Sequence, residues 1–383
     1  MESGSLLRAA REAAGVGLRE IAALTHYSPS YLSLIESGKR TVPAEVVAAY
    51  QCALGESADG EQAGAEWIQR VAASDIGGDA LDRLEAAVDD LASAYPTTPP
   101  AVLLADIRQH LGYAARLMDS RKTLTQHRRL LVTVGWLSLL ACTCHIDLGE
   151  TAAAAARGHA ARDIAEEADH PEISAWCLET RAWQLLTAGN FVAAAKVSRA
   201  AQSVAPQDSS VFIQSTAQEG RALARLGDTT GTHDALRRVA RLVSGLSTPE
   251  RPEHHFRYDP AKSDAYVATT LAWLGDPAAE SYARHVLTDL AAAATTRPRR
   301  IASANLDLGL ALVAADKPDE AANVALVAVE SGRLVPSNYW RVVEVVSGID
   351  SHGAPDAAIV REAFRDTYRA ADRLRPGTFT IPS

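Results

Sequence analysis

Apolar residues recur along this chain at the three-to-four-residue spacing of amphipathic helices, in blocks separated by short breaks carrying Gly, Asp or Pro. Leu18, Ile21, Ala22 and Leu24 fit one face of a helix from Leu18 to about Thr25. The block before it predicts a helix from about Ser5 to Ala14, with Ser5 as N-cap and Gly15 and Gly17 closing it. After it, Ser28 as N-cap, Pro29 at the first helical position and Tyr27 with Leu32 as a hydrophobic staple predict a third helix, ended by Gly38. Leu32 and Ile35 face the core, and Val46, Val47, Tyr50 and Leu54 predict a further helix from about Pro43 to Leu54.

Beyond this head, residues 56 to 65 are polar and Gly-rich and read as a linker. Helices are expected over about Glu66–Ala73, Ala80–Ala94 and Ala101–Met118. From about Leu124 a repeat sets in: an apolar helix, a turn, then an alanine-rich helix. The turns are Gly149-Glu150, Gly189-Asn190, Gly227-Asp228, Gly275-Asp276 and the looser Asp316-Lys317, 38 to 48 residues apart. An inserted loop, residues 247–260, lengthens one copy, and its His254 and His255 read as solvated. A last amphipathic helix, Pro355 to Leu374, carries Ile359, Val360, Phe364 and Tyr368 on one stripe, suited to cap the array or to make a dimer contact.

At 383 residues the chain is long for one domain. Frequent alanine with only 5% aromatic residues favours close-packed helices, so the fold class is all-α. The net charge of −9 argues against coating nucleic acid through bulk charge. Within residues 1–55, Arg8, Arg11, Arg19, Lys39 and Arg40 balance Glu2, Glu12, Glu20, Glu36 and Glu45, which leaves the head as the one face open to DNA. Cys52, Cys142, Cys144 and Cys177 are too few and too irregular for a disulfide framework, and Cys142-Thr-Cys144-His145 sits in an apolar helical run, so no metal or other cofactor is expected. The apolar run Leu130 to Ile146 is short for a membrane span, and no apolar signal core opens the chain, so a cytoplasmic protein is expected. Nor is there a phosphate loop, a nucleophile elbow or a His-Glu metal pairing, and an enzyme is not expected.

The head as a whole, through Glu20-Ile21-Ala22, the capped Ser28 and Ile35-Glu36-Ser37-Gly38-Lys39-Arg40, resembles the DNA-binding domain of the lambda-repressor/Cro (XRE) family. The resemblance implies a five-helix domain over residues 1–56 and a salt bridge between Arg11 and Glu36. It places the third helix in a DNA major groove, with Ser28, Pro29, Ser30, Tyr31, Ser33 and Leu34 at or near base edges and Arg19, Lys39 and Arg40 at the backbone. No Arg, Gln or Asn stands where bidentate base contacts are made, so phosphate contacts and DNA shape must carry much of the affinity. A homodimer on a two-fold operator in double-stranded DNA follows.

With Gly189 at the turn, Leu178, Ala182 and Leu185 precede it and Ala194, Ala201 and Pro206 follow, a pattern similar to the tetratricopeptide repeat (TPR), with Gly220 and Gly309 in the small slot of Ala182. The likeness implies connector helices over 57–120 and a TPR-like α-solenoid over 121–383. Its inner face would carry Trp136, Trp176, Glu179, Trp183, Gln214, Arg221 and Trp273, either lining a groove for a peptide or small-molecule effector or packing between repeats. This architecture resembles large actinobacterial XRE–TPR regulators and quorum-sensing regulators of the Rap/Rgg/PlcR kind. It implies a transcription regulator; the alternative is a TPR protein-interaction scaffold whose head only localises it or binds protein.

Overall fold

A computed structural model describes residues 2–54, 73–247, 249–251, 253–260, 263–292, 297–335 and 338–373, and side chains from 4 to 367 among them. The linker at 56–65, the boundary after residue 56, all but the end of the helix expected over 66–73, and the packing of Tyr368 lie outside the described residues. Within them the chain is all-α, with eighteen helices and no strand. It divides into two compact units, Met1–Asp75 with Arg121–Leu124, and Ile76–Ser120 with Thr125–Ser383.

The first unit holds α1 (Glu2–Ala13), α2 (Leu18–Leu24), α3 (Pro29–Glu36) and α4 (Ala44–Leu54). A fifth helix of this domain would fall outside the described residues. Ile21, Leu32, Ile35, Val46 and Tyr50 are buried together, as the 3.6-residue pattern requires. Two local expectations need correcting. Helix α1 begins before Ser5, so Ser5 is not its cap, and Gly4 in its first turn lies so close to α3 that a Cβ there would sit 2.1 Å from the Ile35 carbonyl oxygen. Leu24, assigned to the core face, is 50% exposed because α2 ends at it. The caps of α3 are as expected: Ser28 Oγ accepts from the Tyr31 N–H at 3.2 Å, and Gly38 closes α3 at φ +71°.

The second unit starts with α5 (Gly78–Ala94) and α6 (Pro100–Asp119), which pack on each other. Helix α7 (Leu124–Asp147) is the one described helix long and apolar enough to cross a membrane, and 72% of its apolar window is buried inside the protein. Helix α8 (Thr151–Glu167) packs back on it, Gly158 facing Cys142 Sγ. The array continues as α9 (Pro171–Thr187), α10 (Phe191–Val204), α11 (Ser210–Arg225), α12 (Thr229–Val243), α13 (Ser263–Leu274), α14 (Ala278–Ala292), α15 (Pro298–Ala314), α16 (Pro318–Glu330), α17 (Tyr339–Ser351) and α18 (Asp356–Arg373). From α9 on, each first helix packs on its hairpin partner and on the next first helix, α9 on α11, α11 on α13, α13 on α15 and α15 on α17, the arrangement of a TPR-like stack.

All five turns read from the sequence adopt left-handed backbone: Gly149, Gly189, Gly227 and Gly275 at φ +69° to +80°, and Asp316 at +60°. The small slots are real as well. Ala182 is fully buried, and a Cβ on Gly220 or Gly309 would meet Ala235 at 3.0 Å or Val345 at 3.2 Å. At the far end α18 buries Ala357 and Val360 against α16 and α17, while Ile359 turns outward. The inserted loop is not the solvated excursion its composition suggested. Phe256 and Tyr258 are buried, His254 is buried with Nε2 3.1 Å from Asp89 Oδ1, and the His255 N–H donates to the Ala92 carbonyl at 3.0 Å.

Candidate functional site

On the head, Ser28 and Pro29 fix the start of α3 and turn its outer face to solvent. Arg19, Ser28, Pro29, Ser30, Ser33, Leu34, Lys39 and Arg40 are all exposed, and Leu34 stands 42% exposed. Tyr31 differs: it is half-buried between Tyr27, at 5.6 Å between ring centroids, and the Arg40 guanidinium, 4.7 Å from its ring. The Ser28 hydroxyl is committed to the cap. What the surface presents is therefore two serine hydroxyls, one leucine and a rim of cations.

Behind this face, Arg11 and Glu36 form the expected bridge. Arg11 Nε and Nη2 donate to the two carboxylate oxygens at 2.8 and 2.9 Å, Nη1 donates to the Val16 carbonyl at 2.9 Å, and Tyr50 donates to Glu36 Oε1 at 2.9 Å. Burial alone would raise the Glu36 carboxyl, but these two donors hold it below the ordinary carboxylate range. Tyr50 is pushed well above its usual value by burial and by that carboxylate. The pair ties the first and third helices of the docking unit.

In the body, the successive first helices enclose a cavity of about 440 Å3. Trp176, Glu179 and Trp183 come from α9, Gln214, Gln218 and Arg221 from α11, Tyr266 and Thr269 from α13, Asp307 from α15 and Arg341 from α17. Spacings of three, four and seven put each set on one helical face. Five of the seven inner-face residues are thus brought together: Trp176, Glu179, Trp183, Gln214 and Arg221. Trp136 is not among them; it packs on Phe256 at 4.7 Å beside a second, smaller pocket. Trp273 packs on Trp340 at 5.8 Å, the between-repeat role left open by the sequence.

Tyr266, Asp307 and Arg341 escaped the sequence reading because their copies lie past the inserted loop, where the repeat spacing shifts. A visible signal was the run Arg297-Pro298-Arg299-Arg300, which opens α15 at the rim. Arg299 donates to buried Asp147 at 2.7 Å and Arg300 to Glu253 at 2.9 Å, so these two cations are paired within the protein.

Deeper in, the balance is different. Gln214 donates to Tyr266 Oη at 2.8 Å and to Glu179 Oε1 at 3.3 Å. Burial pushes the Glu179 carboxyl up to about 7 despite Gln214 and Arg221 beside it. Arg221, 2% exposed, is pushed down to about 10 by burial and then by neighbouring Arg341. Arg341 stands 3.5 Å from Asp307. The Cys142-Thr-Cys144 segment lies buried in α7, burial pushing its thiols up to about 11 and about 12, and His145 Nδ1 is engaged by Glu150 at 2.6 Å.

Residues 2–62 match the family described as a helix-turn-helix domain, which covers the docking unit and little beyond it. The head is a helix-turn-helix DNA-binding domain. No curated protein matches the chain. Among solved structures, that of Bacillus thuringiensis PlcR in complex with the peptide PapR7 and DNA aligns with 98% of this chain and 99% of that one, at 11% identity and a TM-score of 0.29. A likeness that distant carries no weight on function.

Proposed function

We propose that this chain is a sequence-specific transcription regulator: a cytoplasmic, non-enzymatic homodimer whose head docks α3 on a two-fold operator and whose helical body senses a peptide or small-molecule effector. The helix-turn-helix head supports a DNA-binding regulator. The observation that carries the sensing half is the body cavity, which gathers two tryptophans and an arginine around unfilled polar groups instead of a packed core. An effector that favours one dimer geometry changes the spacing of two heads and so the affinity for a two-fold site.

The docking face has a direct test. Affinity of the full chain for promoter DNA, measured over a salt series, falls for Lys39→Ala/Arg40→Ala and its salt slope becomes shallower by roughly one to two charges. Unchanged binding and slope would place the docking face elsewhere.

A further inference from the structure

Arg221 is 2% exposed, yet half of its guanidinium is unused. Nη1 donates to Gln218 Oε1 at 3.1 Å, while Nε and Nη2 have no hydrogen-bond partner. The guanidinium also stacks on Tyr266 and Trp273, at 5.4 and 5.2 Å from their ring centroids. What remains without a hydrogen-bond partner is one edge. Nε–H and one Nη2–H point in parallel and match the two oxygens of a single carboxylate. Arg11 gives this same edge to Glu36 in the head.

The neighbourhood asks for the same kind of group. Among the cavity-lining atoms with no hydrogen-bond partner, Trp176 Nε1, Gln218 Nε2 and Arg341 Nε are donors, while Asp307 Oδ1 stands 3.5 Å from Arg341 Nη1. Facing Arg221 and Arg341 are the carboxyls of Asp307 and Glu179, and burial pushes the Glu179 carboxyl up to about 7. Arg221 is buried and Arg341 half-buried, and leaving buried donors unfilled is costly. The cavity volume, about 440 Å3, lies in the range of small-molecule sites.

We propose that the cavity binds a small organic acid, its carboxylate on the Nε/Nη2 edge of Arg221 and an aromatic body against Trp176 and Trp183. The proposal deepens, and rests on, the reading of the body as a sensor. Indole N–H of Trp176 and the amide of Gln218 are placed to add donors to the acid, and the indole faces supply apolar area for its ring.

A peptide ending in a free carboxylate offers the same group, so the test separates the two sources. The full chain is titrated with 3-phenylpropionate, indole-3-propionate and the pentapeptide Gly-Gly-Gly-Gly-Phe, each beside its amide, with calorimetry and thermal melting as readouts. Either free acid is expected to bind at least tenfold more tightly than its amide and to raise Tm. Arg221→Met and Arg221→Lys both lose at least tenfold, the second because a lysine keeps the charge without the paired donors. Arg225→Met, whose guanidinium already pairs with Glu344, keeps the affinity and serves as the folding control.

Acid and amide binding alike, no acid raising Tm above its amide, or full affinity in Arg221→Lys each overturns the proposal. Binding of the acidic peptide alone overturns the small acid in favour of a peptide terminus. Failure of the sensor reading is distinct: an acid that binds but leaves operator affinity unchanged keeps the site and removes its regulatory role.

Discussion

Arg11 in the head and Arg221 in the body are both buried arginines presenting the same Nε/Nη2 edge, and they differ in what fills it. Arg11 finds both oxygens of Glu36 within 2.9 Å, with Tyr50 and the Val16 carbonyl completing the set. Arg221 finds Gln218 on the other side of its guanidinium and nothing on the edge. A buried charge answered from within the chain is part of the scaffold; one left unanswered beside a cavity marks where something else binds.

The sharpest way to break this contrast is to remove the answer in one place and the question in the other. Glu36→Ala strands a buried guanidinium and is expected to cost about 3–5 kcal/mol, which unfolds the head and abolishes DNA binding. Arg221→Met in ligand-free protein removes a buried charge whose Nε/Nη2 edge has no hydrogen-bond partner, and is expected to be neutral or to stabilise the body by up to about 1–4 kcal/mol. Urea unfolding, followed by tryptophan fluorescence for the body and by circular dichroism with DNA binding for the head, measures both. Equal destabilisation by the two would show that Arg221 is as structural as Arg11.

One buried carboxylate in each region, Glu36 and Glu179, responds to pH with opposite sign. Glu36 is depressed, so its contribution to head stability is present above the unfolded carboxylate range and is lost as pH falls through its folded value. Glu179 is raised, from 4.5 to about 7, so its own contribution to body stability is greatest below pH 4.5 and falls as pH rises to about 7, then levels. The difference is on the order of 3 kcal/mol at most. Glu179→Gln is therefore expected to match the wild type near pH 4.5 and to exceed its stability at pH 8. A gap between the two that does not change with pH would mean that Glu179 titrates as an ordinary carboxylate.

How much of this was legible in the sequence differs between the regions for the same reason. In the head, the caps Ser28 and Gly38 and the core position Leu32 are set within one helix and could be read from spacing, while the Arg11–Glu36 pair, 25 residues apart, could be read from the resemblance. In the body, the five left-handed turns and the small slots at Ala182 and Gly220 were readable because each is set by its own hairpin, and that at Gly309 because it recurs at the same place in its copy, although Val345 of the next repeat lies nearest to it. Membership of the cavity is set by the rotation of one repeat on the next, and that accumulates. Trp176 and Trp183 fall where expected, Trp273 two repeats on turns into a between-repeat contact with Trp340, and Tyr266 and Arg341 occupy the wall instead. The burial of His254 depended on Phe256 and Tyr258 anchoring their loop, a long-range contact that a polar, Pro-rich composition conceals.

Close approach separates the regions again. Gly4 on α1 faces a backbone oxygen of α3 at 2.1 Å from a would-be Cβ, and backbone cannot step aside. Gly4→Ala is expected to cost at the upper end of about 1–3 kcal/mol. Gly309 on α15 faces methyl groups of Val345 at 3.2 and 3.3 Å, which can yield by a few tenths of an ångström. Gly309→Ala gains helix propensity of about 1 kcal/mol against that strain, so its net effect is expected to stay within about 1 kcal/mol of zero. Chemical denaturation of the two variants decides; a Gly309→Ala cost matching that of Gly4→Ala would show the repeats to be as rigidly packed as the head.

The smallest effect tests the turns, where the two regions should for once agree. His26, between α2 and α3, and Asp316, between α15 and α16, hold left-handed backbone at φ +57° and +60° without being glycine, whereas Gly149, Gly189, Gly227 and Gly275 do so freely. A side chain in that region costs roughly 1–2 kcal/mol per residue, less for His and Asp, which are enriched there. Replacing either by glycine removes the strain but loosens the unfolded chain, an opposing term of about 0.4–1 kcal/mol. The net expectation is a stabilisation below about 1 kcal/mol for each, read as a rise in Tm. Asp316 adds a check, because its carboxylate stands 3.4 Å from His352 Nε2 at an exposed position, an interaction worth little in water. If Asp316→Gly destabilises while His26→Gly stabilises, that surface pair outweighs backbone strain, and Asp316 holds its turn through its side chain.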